Sequence, residues 1–213
     1  MKDNNSKQVL LSVLGVAILV VAVVGVSFAA FSFSQTGNVE NTITTGTISM
    51  TYTEPENGIN LTNALPMDDE SGKVLAADNE TFDFTVGATI NDGGAGTVIN
   101  YALAATTEPG TTLTDQYVKV YLTDQEDTPI GDYATAPKTV QSLEDGTGAS
   151  DAAGVPEGQK VLYRSTYNAT TTSSYRLRMW VADNYPMGNQ PGAAAGSETY
   201  TLRVNVYGKA DAQ

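Results

Sequence analysis

The chain has no cysteine and no histidine. Without cysteine no disulfide staples the fold, and neither a thiolate metal site nor a cysteine nucleophile can be built. Without histidine the usual general base near neutral pH and the commonest metal ligand are missing. That excludes Ser-His-Asp and Cys-His arrangements and the His-Glu-x-x-His zinc motif. Paired carboxylates, Ser-Lys dyads and all-oxygen metal sites remain formally open. Basic residues are also scarce, 11 Lys and Arg against 24 Asp and Glu, for a net charge of −13. Such a surface repels nucleic acid and anionic lipid and favours solubility.

Apolar residues are concentrated at the start. The run from Val9 to Phe31 holds 15 Val, Ile, Leu or Phe, and no charge lies between Lys7 and Glu40. These side chains favour a bilayer by about 5 to 9 kcal/mol, and the run is long enough to span one. The head carries Lys2, Lys7 and the amino terminus against Asp3, which keeps it cytoplasmic. Two readings fit. One is a retained signal anchor, favoured by a run longer than a usual signal-peptide core. The other is a cleaved signal peptide, with Ser27 and Ala29 as the small residues before a cut between Ala29 and Ala30. A buried helix of a soluble body fits less well, because no other segment is apolar enough to surround such a uniformly apolar rod. Either way the body is exported to the cell surface or the extracellular space, and only the membrane-crossing segment contacts lipid. Cleavage leaves residues 30–213, with a net charge of −14.

The body alternates with period two. Apolar faces are Ile48, Met50 and Tyr52; Phe82 to Ile90; Ile99, Tyr101 and Leu103; Val118, Val120 and Leu122; Val161 and Tyr163; Tyr175 to Val181; and Tyr200 to Val206. Each reads as a half-buried antiparallel strand. Turn chemistry separates them, at 91–96, 109–110 and 145–148 among others. One short turn is expected near Thr139–Leu143. Asp124 to Gln159 reads as a long connecting loop. The expected fold is all-β, a two-sheet sandwich of jelly-roll or immunoglobulin-like type, preceded by one N-terminal hydrophobic helix. The expected organisation is 1–29 leader, 30–45 linker or donor strand, 46–208 sandwich and 209–213 tail.

The chemistry-bearing clusters have plainer readings. Asp68-Asp69-Glu70 and Asp124-x-Glu126-Asp127 have the hard oxygens calcium prefers, but lack EF-hand or repeat-in-toxin spacing and read as solvated charge. Asp145-Gly146-Thr147-Gly148 reads as a glycine turn. Arg176 and Arg178 are expected to pair with surface acids or to cover apolar area with their stems. Asn60, Asn79 and Asn168 lie in Asn-x-Thr sequons, which matter only in a glycosylating host. No catalytic, cofactor or metal residue is assigned, and the chain is not expected to be an enzyme.

Ser27-Phe28-Ala29-Ala30-Phe31, Thr45-Gly46-Thr47-Ile48-Ser49-Met50 and Gly58-Ile59-Asn60-Leu61-Thr62-Asn63-Ala64-Leu65-Pro66-Met67-Asp68-Asp69 together resemble the TasA/camelysin family of exported bacterial proteins. The likeness covers roughly residues 25–90. The chain departs from it at Met67, where glycine is common, and in the acidic insert that follows. The resemblance implies processing by a SipW-type signal peptidase, a jelly-roll domain and, as in the matrix members, homopolymeric fibres of a biofilm matrix. In those the segment freed by cleavage pairs as a donor strand with the next copy. Here Phe31, Phe33, Val39 and Ile43 supply the apolar positions, each Phe worth about 1.5–3 kcal/mol when buried. The same segment also reads as a flexible tether, or as a strand docking into its own domain. Camelysin relatives are classed as metallopeptidases, but a chain without histidine cannot carry over a conventional zinc site. A membrane-anchored monomeric adhesion or binding module is the alternative function.

Overall fold

Period-two apolar patterning demands sheets with one face covered, and pairing of those faces demands two sheets. A computed structural model describes residues 32–36, 43–45, 48–54, 58–76, 81–91, 96–186 and 198–212. The leader, and with it the expected hydrophobic helix, lies outside these. Among the described residues no helix is long and apolar enough to cross a membrane.

In chain order the strands are β1 (Ser32–Thr36), β2 (Ile43–Thr45), β3 (Ile48–Thr53) and β4 (Ile59–Thr62). A five-residue helix, α1 (Asp69–Lys73), precedes β5 (Thr81–Ile90), β6 (Thr97–Thr107) and β7 (Val118–Asp124). Then come β8 (Lys138–Thr139), β9 (Glu144–Asp145), β10 (Lys160–Tyr167), β11 (Thr171–Val181) and β12 (Thr199–Ala212). One sheet runs β1-β12-β6-β10-β9, with β4 also on β12. The other runs β2-β3-β5-β11-β7-β8. Every strand pairing within the sheets is antiparallel. The fold is therefore all-β with two sheets, as expected from the alternation. The pairings nest: β4 with β12, β5 with β11, β6 with β10, β7 with β8.

The inner faces are the ones the alternation marks. Phe82, Phe84 and Val86 of β5, Ile99, Tyr101 and Leu103 of β6, and Leu202, Val204 and Val206 of β12 are all buried in one core. The pattern fails at β10. A register irregularity between Val161 and Tyr163 sets Val161 opposite Ala104 and Tyr163 opposite Leu103. Val161 therefore joins an outer cluster with Ala102, Ala104, Ala153, Val155 and Tyr207, while Tyr163 packs against the inner core. A bulge shifts the side-chain phase by one residue, so these two residues do not form the single face expected.

The expected 124–159 loop is also revised. It carries β8, β9 and three short 3-10 turns, and its end lies over the outside of β6. The turn expected near Thr139 is present: Thr139 caps Val140–Ser142 by accepting from the Ser142 amide at 3.3 Å. Finally, β12 continues to Ala212, past Gly208 where the apolar alternation stops. Lys209 to Ala212 pair with Asn100 to Thr97 through backbone groups, so residues 209–212 are a strand end rather than a tail.

Candidate functional site

β12 is bordered by β6 along Leu202–Ala212. Its other edge is shared. β4 takes Thr199–Leu202, and β1 takes Asn205–Lys209. β1 contributes five paired residues, with Phe33 opposite Gly208. Ile43 pairs instead with Met50, in the other sheet. The four residues expected to form the donor segment are thus not one strand: Phe33 and Ile43 belong to different sheets. Phe31, Val39 and the expected cleavage pair Ala29-Ala30 lie outside the described residues.

Gly208 marks a close approach of the two sheets. A Cβ there would sit 2.3 Å from Sδ of Met50, and Met50 is fully buried. Gly208→Ala is therefore expected to lower stability by about 1–3 kcal/mol, as overpacking does. Urea denaturation measures this. Met50→Ala should absorb part of the cost, so the double variant loses less than the sum.

Asp68, Asp69, Asp124, Asp127 and both arginines are satisfied within the fold. Asp68 caps α1, accepting from the Ser71 amide at 2.8 Å. Asp69 pairs with Lys119 at 2.6 Å. Asp124 Oδ1 accepts from the amides of Glu126 and Thr128 at 3.0 and 2.7 Å. Asp127, at φ 64°, accepts from Arg178 at 2.6 Å and Arg176 at 3.1 Å. The Arg178 hydrogen bond holds its carboxyl below the usual range. Arg176 also grips Asp83 with two bonds of 2.8 Å. The arginines pair with acids, as their positions suggested, and Arg178 is in addition buried and donates to the Leu75 carbonyl. Among the described residues no group of three or more carboxylates is placed to hold a metal ion.

Sequence reasoning missed a tyrosine cluster. Tyr101 of β6, Tyr163 and Tyr167 of β10 and Tyr175 of β11 converge beside the Asp124–Ile130 turn, at a cleft of about 530 Å³. Tyr101 and Tyr167 stack at 4.4 Å and 8°. The Tyr101 and Tyr175 hydroxyls pair at 2.5 Å, and Tyr167 donates to the Val86 carbonyl at 3.0 Å. Burial first, then the neighbouring tyrosines, pushes the Tyr101 hydroxyl far above its ordinary value. Each ring belongs to an ordinary strand face, and only the pairing of β6 with β10 and the packing of β11 from the other sheet bring them together.

The fold defines an all-β protein of two antiparallel sheets. No family model and no curated protein matches the chain. Among solved structures it is similar to a β-glucosidase from Kluyveromyces marxianus, with 13% identity and a TM-score of 0.21, over 59% of this chain and 12% of that one. A likeness that slight carries no argument, and the chain spans far less than two thirds of that enzyme.

Proposed function

We propose that the chain is an exported structural subunit whose jelly-roll domain assembles into extracellular surface or biofilm-matrix filaments by donor-strand pairing. The observation that carries this is the place of Ser32–Thr36 on the edge of β12. A five-residue edge strand is held by backbone bonds to one neighbour, and β-strand addition uses the same bonds between chains. The N-terminal strand of another copy can fill the same register, giving a head-to-tail contact that propagates. The jelly-roll reading is supported by the nested pairings and by the orders β4-β12-β6-β10 and β5-β11-β7-β8, in which successive strands mostly change sheet. Export is supported by the apolar run at 9–31. A cut between Ala29 and Ala30 by a SipW-type signal peptidase would place the new end two residues before β1 and free it from the membrane. The reading gives the chain no enzymatic role.

Deleting Phe31–Ser34 from the processed protein is expected to abolish filaments in negative-stain micrographs. Filaments formed as before would overturn the donor-strand mechanism. One observation favours the alternative of a membrane-anchored monomeric adhesion or binding module: β1 already closes the β12 edge within a single chain. That reading predicts an intact leader on N-terminal sequencing and a monomer by light scattering at high concentration.

A further inference from the structure

The tyrosine cleft has the features of a binding site and is independent of the β12 edge. Its volume falls within the range of small-molecule sites, roughly 300–1,000 Å³. Its floor is fixed by the stacked pair Tyr101–Tyr167 and the hydroxyl pair Tyr101–Tyr175. Tyr163 is the ring of the four that is only half-buried. It packs edge-on to Tyr101 at 6.5 Å and lies beside Gly131, where an added Cβ would stand 3.2 Å from its ring.

The rim is a turn held rigid by its own bonds. Asp124 binds two amides of the turn, its own amide donates to the Thr128 carbonyl at 2.9 Å, and Ile130 donates to the Leu122 carbonyl at 3.1 Å. That turn presents Gln125 and Glu126 at the cleft. Both are exposed, and neither side chain takes a partner among the described residues. Ser165, Thr166 and Ser174 add hydroxyls on the opposite strands. An apolar ring beside an amide, a carboxylate and several hydroxyls suits a ligand with C–H faces and many hydroxyl groups. The ring's negative face attracts polarised C–H groups, and the carboxylate and amide accept and donate to hydroxyls.

Charge narrows the class. Asp124 and Glu126 at the rim, in a chain of net charge −13, repel uronic acids and phosphates. A cation would need open ring faces, and two of the four rings spend theirs on each other. We propose that this cleft binds a neutral oligosaccharide, with Tyr163 as the apolar platform and Gln125 and Glu126 as the hydroxyl-pairing groups. In an exported protein the ligand is outside the cell, as a glycan of a wall or matrix.

Isothermal titration of the full chain in a zwitterionic detergent tests this; sugar-headed detergents would compete. The probes are hexamers of β-1,4-glucose, β-1,4-N-acetylglucosamine and α-1,6-mannose, with a polyuronate hexamer as control. At least one neutral hexamer is expected to bind saturably and more tightly than the polyuronate. Tyr163→Ala should weaken it at least about tenfold. Because Tyr163 also packs on the core, the exposed pair Gln125→Ala/Glu126→Ala serves as a second variant. It should weaken binding to a similar extent with an unchanged thermal midpoint. The proposal fails if no neutral hexamer binds, if the polyuronate binds best, or if both variants bind as the parent does. It fails too if the double variant keeps its saccharide affinity and loses self-association, since the cleft is then a contact between copies.

Discussion

Asp151→Ala is expected to destabilise the domain by about 3–5 kcal/mol, because four charge-assisted hydrogen bonds to one buried carboxylate are lost together. The Asp151 side chain is wholly inaccessible, against 30% exposure for Arg164. Arg164 donates Nη1 to Oδ1 at 2.9 Å and Nη2 to Oδ2 at 2.7 Å. The amides of Ala153 and Gly154 donate to Oδ1 at 2.9 and 3.0 Å. One carboxylate thus ties the turn before Val155 to β10. Ala153 and Val155 are the lid over Ala102, Ala104 and Tyr207, so losing the carboxylate also loosens that apolar cover. Urea denaturation measures the loss, and a drop of less than about 1 kcal/mol would contradict the account.

Acid should reproduce part of this effect. The Arg164 hydrogen bond holds the Asp151 carboxyl far below the usual carboxylate range. A depressed folded-state value means the stabilisation is full above the unfolded value, about 3.9, and is lost as pH falls below it toward the folded value. The parent should therefore lose stability more steeply below about pH 4 than Asp151→Ala does.

Trp180→Ala is the second large effect, again about 3–5 kcal/mol. The indole is 1% exposed, although its place on β11 puts it on the face away from the sandwich core. What covers it is α1. A Cβ on Gly72 would fall 2.2 Å from Cε2 and 2.4 Å from Cδ2 of the ring, so the helix backbone rests directly on the indole. The segment is held at its ends by the Met67 amide on the Val181 carbonyl at 3.0 Å and by Arg178 on the Leu75 carbonyl at 2.8 Å. Truncating the ring leaves a cavity that α1 cannot fill while those bonds hold. Limited proteolysis should then cut near 69–75 faster than in the parent. An unchanged denaturation midpoint and cleavage pattern would show that α1 does not depend on the ring.

The alternation in β5, β6, β11 and β12 was sufficient to identify two sheets and their inner faces, because burial on one side leaves a period of two in the chain itself. Features that depend on distant pieces of chain were not legible. Trp180 and Arg178 look solvent-facing beside Leu177 and Met179, since nothing near them in sequence announces the cover supplied by 67–75. Val161 and Tyr163 look like one face because a bulge inserts no distinctive residue. Asp151 looks like one more loop acid in a Gly- and Ala-rich stretch, and only Arg164 makes it a fixed point. The tyrosine cleft was hidden for the same reason. Tyr101, Tyr163 and Tyr175 are each ordinary strand residues until the register of β6 with β10 and the packing of the two sheets set them together.

The nesting of strand pairs has a consequence for the order of events in the chain's life. β12 follows every other described strand in the chain, yet it lies inside its sheet, between β6 and the edge occupied by β1 and β4. Its partners include Ser32–Thr36 and Ile59–Thr62, from the opposite end of the chain. Loop closure over such separations is slow, and a chain lacking β12 leaves β6 with a bare edge and the core without Tyr200, Leu202, Val204 and Val206. The sheet that holds β6 therefore cannot close until β12 has been made and has paired with it.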